Sequence, residues 1–545
     1  MLDWRAYQVI SWTVLAVSVT VYALAGFPWP RPAIVFFGTG LSIGILYLQV
    51  RAWGDRMGAI GYGFVYFTGL MNAFFLRYTE WVRVVAAGSD MISHYVIRAG
   101  YIVSHGHVNS ELGMYSQAPL IHVFITINKL VSGLWILDVR FAAVVLSTTV
   151  PLLIATFAKR VDGHKTAGYA LLLSVPFPLF LRTGAMFDSE SLAIPWFVLL
   201  LYFLYRSIFA QDQRYRLLVV FLALGAAWIH FLYPVVIVGT IFGTVVLAEI
   251  MAGERIPKVS LGQFLSAPVL GLLAGFSFIF FRLLWTDDGA RMFVGLGITG
   301  STFELASLGG SLFPQSGAVG DATTAATGLQ KLMNLTPVVI FVVLGATGGG
   351  YMLYKRSPRY LVLAVVSGII TFGTMLAIVG YTSSSSFRLG YRLYYYISLV
   401  GLVPAAIGLH RICEPLIVQL RAWQSGLSLG VGVLLFVAVV SFGMLGPMST
   451  YGNNVDPHFG GQSSAVTETE YNQLFELNNV MDRPIAESKV EEYKPPDQPS
   501  SLFPHRDTDS KTKFPYLTYE KDNCSQANSP WTTNEFRICA NSEIN

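Results

Sequence analysis

Four acidic residues carry the most chemical information in the chain: Asp90 in GSDMISH, Asp188 and Glu190 in MFDSESL, and Glu304 in STFELASL. Two carboxylates spaced i,i+2, joined by a third from elsewhere, can chelate Mg²⁺ or Mn²⁺, which want hard oxygen ligands and often a phosphate. Asp90, Asp188 and Glu190 would make that set. A single carboxylate can instead take the proton from an attacking hydroxyl as general base. Each residue also has a plainer reading. Ser89/Asp90 and Asp188/Ser189 are helix-capping types, and Glu304 suits a solvated loop. Their joint position beside apolar stretches shifts the balance toward chemistry for Asp90 and Asp188.

Basic groups that could receive a phosphate lie in FRLGYRLYYY, where Arg388 and Arg392 are spaced i,i+4 ahead of three tyrosines. Arginine holds phosphate oxygens through a planar fork, although snorkelling arginines in an aromatic belt have the same pattern. Arg182, close to Asp188, can contribute. His94, His105 and His107 are not accompanied by HExxH or by a cysteine-ligand pattern, so they read as interfacial or substrate-contacting histidines rather than zinc ligands. No P-loop, dinucleotide fingerprint or nucleophile elbow occurs, which gives no support to an ATP-driven pump or a serine hydrolase.

The elements that must position these residues follow from composition. Apolar residues make up 53% of the 545 residues and charged ones only 12%, with a mean hydropathy of +0.54. A soluble protein cannot hide that much apolar surface, so the chain reads as an all-α polytopic membrane protein. Thirteen apolar stretches read as spans: 7–26, 33–50, 57–76, 139–157, 166–181, 191–206, 217–229, 234–251, 263–284, 335–353, 360–379, 393–409 and 427–446. With the N-terminus cytoplasmic, the inner segments hold 16 Lys/Arg and the short outer loops four, the bias expected of cytoplasmic loops. The C-terminus is then outside. Residues 1–446 form the membrane domain, with long outer loops at 77–138 and 285–334. The tail 447–545 carries 8 Lys/Arg and 15 Asp/Glu, a net of −7 against +11 for the rest, and its aromatic-rich end suits a small extracytoplasmic domain. The basicity is a membrane-topology signal, not a nucleic-acid signal.

Within the first long loop, residues 118–136 place His122, Thr126, Lys129 and Gly133 on one helical stripe, a pattern suited to lying in the membrane interface. Residues 309–328 are small and polar enough to be mobile. Cys524 and Cys539, both outside, either pair or remain free thiols. Asn334 and Asn523 head sequons on the outer side.

At this point the residues resemble a known arrangement. An outer-face Asp90 in G-S-D, followed by a helix and Tyr115-Ser-Gln-Ala-Pro119, looks like the first outer loop of the GT-C membrane glycosyltransferases. Asp188-Ser-Glu190 is similar to the D-x-D/E motif of their second loop. The resemblance covers roughly residues 57–450. It implies an enzyme that takes sugar from a polyprenyl-phosphate carrier and transfers it outside the cytoplasm to a glycan, lipid or protein acceptor. In layout the oligosaccharyltransferase catalytic subunit is the nearest comparison, and Ser301-Thr-Phe-Glu304 is similar to its S/T-x-x-E loop motif. The W-W-D-Y-G sequence that reads the acceptor sequon is absent, however, and two extra spans precede the Asp90 loop. A transporter or flippase of lipid-linked glycans, or transfer of a whole glycan, are the alternatives.

Overall fold

The computed structural model describes residues 3–25, 33–81, 84–87, 97–108, 119–134, 139, 141–177, 189–210, 212–229, 328–381, 390–416 and four short strands of the tail. The helices are α1 (Trp4–Ala25), α2 (Ala33–Trp53), α3 (Gly58–Trp81), α4 (Ile97–His105), α5 (Leu120–Ser132), α6 (Phe141–Asp162), α7 (His164–Ser174), α8 (Ser189–Ala210), α9 (Gln213–Ile229), α10 (Gly328–Lys355), α11 (Pro358–Tyr381) and α12 (Gly390–Gly408). A π-helical turn, Leu409–Cys413, continues α12. Ten of the expected spans fall on these helices. The spans expected at 234–251, 263–284 and 427–446 lie outside the described residues. Among the described residues, five helices are long and apolar enough to cross a membrane: Trp4–Ala25, Gly58–Thr79, Phe141–Asp162, Ser189–Phe209 and Leu399–Leu416. The chain is a multi-pass membrane protein whose described membrane part is helical.

Polar residues hold the first three helices together. In lipid, apolar faces gain little by meeting each other, so small and polar side chains decide which helix surfaces associate. α1 buries Gln8, Ser11, Leu15, Ser18 and Tyr22 along one stripe. Gln8 Nε2 donates to Thr68 Oγ1, Ser11 and Ser42 hydroxyls meet at 2.8 Å, and Asn72 Nδ2 donates to Ser42 Oγ at 3.0 Å. Small residues do the same for α10 and α12. A Cβ at Gly348 would collide with the carbonyl oxygen of Pro404, and one at Gly408 with that of Leu344. Only glycine lets these two backbones approach so closely.

Ring contacts fix the directions of the helices. Phe74 of α3 meets Phe141 of α6 edge-on at 6.2 Å, so the end of α3 lies beside the start of α6. Phe157 of α6 meets Tyr205 of α8 at 5.4 Å, and Phe197 of α8 meets Tyr396 of α12 at 4.7 Å. Helices α6, α8 and α12 therefore run the same way, with their N-termini at one end of the bundle. At the opposite end, Gly163 with φ 93° makes the turn between α6 and α7, a conformation that side chains with a Cβ rarely adopt.

Three findings refine the sequence reading. The third span continues to Trp81, so Arg77 is helical and fully buried rather than the first residue of a loop. Helix α10 begins at Gly328, which puts the Asn334 sequon inside a helix. Helix α5 forms where an interfacial helix was expected, but the first half of its polar stripe faces inward. His122 and Thr126 are buried, Thr126 Oγ1 donating to Ala99 O of α4 at 3.2 Å, while Ile127, Leu130 and Val131 are exposed. The helix thus buries Ile121 and Ile125 together with His122 and Thr126.

Strands β1 (Val84–Ala87) and β2 (Ala465–Thr467) pair antiparallel, with Ala87 opposite Ala465. The tail thus joins the sheet edge three residues before Asp90. Strands β3 (Leu517–Glu520), β4 (Asn528–Thr532) and β5 (Arg537–Ala540) form a second antiparallel sheet in the order β3-β5-β4. Cys539 is in β5, and Cys524 and Asn523 lie outside the described residues.

Candidate functional site

Glu190 is the expected acidic residue that the structure describes. It sits in the first turn of α8 and is only 3% exposed, between the fully buried Ser189 and the buried Ser191. Ser189 Oγ donates to Glu190 Oε2 at 3.1 Å. A carboxylate in the first turn of a helix is stabilised by the positive end of the helix dipole, so this residue could be read as a capping acid. A solvated cap would, however, be exposed. A carboxylate removed from water needs several hydrogen-bonding or cationic neighbours to remain charged.

Arg392 is the third residue of α12. Phe197 and Tyr396 are in contact at 4.7 Å, Glu190 lies seven residues before the first and Arg392 four before the second. At about 1.5 Å of rise per residue the two backbones are level to within roughly 5 Å along the bundle axis. The heads of α8 and α12 thus bring an acid and a base of the expected set to one end of the bundle. Asp90, His94, Arg182, Asp188, Glu304 and Arg388 lie outside the described residues. Among the described residues, no group of three or more His, Cys, Asp or Glu side chains comes together as a metal site.

Two buried ionisable groups escaped the sequence reading. Arg77, at the same end of the bundle as Glu190, is among the largest fully buried side chains, and its Nη1 donates to Ala73 O at 2.9 Å. The signal was available, because an ionisable residue within an apolar span is a functional candidate by default. It was missed because the span was ended at residue 76. The second is a network at the opposite end, around Asp162. Its carboxylate accepts from Arg411 Nε at 3.1 Å and Nη2 at 2.8 Å, from Thr166 Oγ1 at 2.6 Å and from the Tyr360 hydroxyl. His410 Nδ1 lies 3.3 Å from it. Beside it Lys165 Nζ pairs with Glu414 at 2.7 Å, and the Tyr169 hydroxyl donates to Glu414 at 3.1 Å. These bonds tie the α6–α7 elbow to the start of α11 and to the π-turn after α12.

No protein-family model and no curated protein sequence matches the chain. Solved structures do resemble it. ArnT from Cupriavidus metallidurans, bound to undecaprenyl phosphate, matches with a TM-score of 0.50 at 12% identity, over 78% of this chain and 82% of that one. The archaeal oligosaccharyltransferase AglB from Archaeoglobus fulgidus, in complex with an inhibitory peptide and a dolichol-phosphate, matches with a TM-score of 0.49 at 15% identity. That match covers 78% of this chain but only 59% of the oligosaccharyltransferase. The likeness to ArnT shows the fold: the chain is a polytopic membrane protein folded like that one.

Proposed function

We propose that the chain is a membrane glycosyltransferase that moves a sugar from a polyprenyl-phosphate carrier to a glycan, lipid or protein acceptor on the extracytoplasmic side. The observation that carries this reading is Glu190, buried at the head of α8 and level with the head of α12, which bears Arg392. The fold is shared with a protein solved with undecaprenyl phosphate bound, and this adds support from outside the chain.

The chemistry assigns each expected residue a task. An acceptor nucleophile attacks the anomeric carbon of the sugar, the bond to the carrier phosphate breaks, and the phosphate departs with the electron pair. Asp90, assisted by Asp188 and Glu190, takes the proton from the nucleophile. Arg388 and Arg392, with Arg182, meet the charge that develops on the departing phosphate, and donors placed for that charge lower the barrier. His94 and Glu304 contact the substrates. Asp90, Asp188 and Glu190 are also the residues that would hold Mg²⁺ or Mn²⁺, and Glu190 offers hard oxygen donors in a buried setting suited to such an ion. When bound, the ion would offset negative charge between carboxylates and phosphate.

In this reading residues 1–446 are the catalytic membrane domain and 447–545 an extracytoplasmic tail. The N-terminus is cytoplasmic and the Glu190 end faces outward. The basic residues of α6–α7, α8–α9 and α10–α11 gather at the other end, consistent with cytoplasmic loops. The test is a membrane assay with a labelled polyprenyl-phosphate sugar. Turnover is expected in wild-type membranes and at least a hundredfold less in Glu190→Gln at equal expression. Full turnover in that variant would remove the proposed role. Movement of labelled lipid across vesicles without any glycosylated product would replace transfer with transport.

A further inference from the structure

Two exposed histidines at the end of α4 hold the tautomer of metal ligands. His105 is the last residue of that helix, and His107 follows it across Gly106. His105 Nδ1 lies 3.0 Å from Tyr101 O and 2.8 Å from Ser104 Oγ. A carbonyl oxygen can only accept, so Nδ1 carries the hydrogen. Ser104 agrees with that assignment: its own hydroxyl donates to Tyr101 O at 3.0 Å, which leaves its oxygen to accept from Nδ1–H. His107 Nδ1 in turn donates to His105 O at 3.0 Å. In a neutral imidazole the other nitrogen is then the acceptor, and no described protein group takes Nε2 of either ring.

The rings are also placed as a pair. Tyr101 stacks on His105 with centroids 3.9 Å and planes 13° apart, which fixes the direction of the His105 ring. Gly106 has φ 74°, a conformation that residues with a Cβ rarely adopt. This turn brings the His107 ring to 6.4 Å from that of His105 and perpendicular to it. With metal–nitrogen bonds of about 2.1 Å, two imidazoles on one ion have ring centres about 5–6.5 Å apart, according to the angle at the metal. The observed separation falls in that range, and both side chains are open to water. A helix-capping role explains the Nδ1 bonds but uses neither Nε2. Holding Nδ1–H on a backbone carbonyl is how proteins orient a histidine that binds metal through its other nitrogen.

We propose that His105 and His107 form a binding site for a divalent transition-metal ion, Zn²⁺ or Cu²⁺, through their Nε2 atoms. Spacing gave these histidines no zinc motif; their fixed tautomers and ring placement supply what the spacing lacked. Among the described residues no third His, Cys, Asp or Glu joins them, so water completes the coordination and the ion stays exchangeable. Imidazole donors suit zinc and copper, whereas Mg²⁺ and Mn²⁺ want oxygen. The site is therefore separate from the Asp90, Asp188 and Glu190 set and does not depend on the transfer reaction. Bound metal ties the last turn of α4 to the residue that follows its glycine turn.

The experiment uses the full chain without a histidine tag, purified in detergent, stripped with EDTA and titrated with Cu²⁺ or Zn²⁺ alone. Wild type should bind one ion at micromolar free metal, with two nitrogen couplings in the Cu²⁺ electron paramagnetic resonance spectrum. His105→Gln and His107→Gln should each weaken binding at least about tenfold and reduce the coupling to one nitrogen. Gly106→Ala keeps both ligands but strains the turn, and should weaken binding by about tenfold as well. Because both side chains are exposed, the two metal-free glutamine variants should melt at the wild-type temperature, so a loss of binding is not a loss of fold. Glu190→Gln should bind as wild type does. Undiminished binding in the double variant His105→Gln/His107→Gln would overturn the proposal, as would a spectrum with oxygen ligands only. An equal loss in Glu190→Gln would give the ion to the carboxylate set and overturn it too. Saturation only at millimolar metal would mark an adventitious surface contact, with the same consequence.

Discussion

The Asp162–Arg411 pair allows a stability prediction with a definite order. The Asp162 side chain is 4% exposed and the Arg411 side chain 38%. Removing one partner of a buried pair typically costs about 3–5 kcal/mol, because the other is left as an uncompensated charge. The two single changes are not equivalent here. Arg411→Gln leaves a carboxylate that water cannot reach, with Thr166, Tyr360 and His410 as its remaining neighbours, and should cost about 3 kcal/mol. Asp162→Asn leaves a guanidinium that water already reaches and keeps an oxygen acceptor for Thr166 or Tyr360, so about 1–2 kcal/mol is expected. The double variant should cost less than the sum of the singles by at least about 1 kcal/mol, since residues in direct contact do not behave additively. SDS titration of the purified protein in mixed micelles, followed by tryptophan fluorescence, measures all three. Additivity within about 0.5 kcal/mol, or a larger cost for Asp162→Asn than for Arg411→Gln, would refute the argument.

Other predictions rest on separate features. Gly348→Ala should separate α10 from α12 and destabilise by about 1–3 kcal/mol, whereas Gly349→Ala, with open space around its Cβ, should be neutral in the same titration. Val466→Pro removes a backbone donor from the β1–β2 pair; transfer activity should fall with little change in stability, and unchanged activity would free the Asp90 loop from any influence of the tail. His164 meets the Tyr62 ring at 4.9 Å in a tilted arrangement, and burial, followed by the charge of Lys159, lowers its pKa below the ordinary value. Its folded form therefore resists protonation more than the unfolded form. Stability should drop as pH falls through the ordinary histidine range near 6.5, and His164→Phe should flatten that part of a thermal-stability profile. Chelation by EDTA should abolish transfer if Asp90, Asp188 and Glu190 share a divalent ion, and leave it intact if Asp90 acts as a lone base.

The parts of the fold that were legible in the sequence are those set by local composition. Apolar runs identified the helices because a spanning segment must bury its backbone polar groups within itself, whatever its neighbours do. Glu190 was legible for a similar reason: an acid two residues after Asp188, at the head of an apolar run, marks a helix start by local rules alone. Features that depend on distant partners were not legible. Asp162 meets Tyr360 and Arg411 across 198 and 249 residues, and nothing in the composition around residue 162 announces them. Arg77 was lost by ending a span five residues early, and the inward face of α5 because hydropathy cannot say whether a polar stripe meets water or protein. The strand at Val84–Ala87 owes its existence to a partner more than 370 residues away.

In the proposed reaction a bond to a carrier phosphate is broken at the Glu190 end of the bundle. The most direct measurement places purified full-length chain in liposomes with a polyprenyl-phosphate sugar labelled in the sugar, and follows label both in product and across the bilayer. Sugar transfer at this end should place label on an acceptor, with free polyprenyl phosphate released in equal amount, and both should be lost in Glu190→Gln and Asp90→Ala at unchanged thermal stability. Label that crosses the bilayer while still attached to its carrier, at the same rate in wild type and both variants, would contradict it.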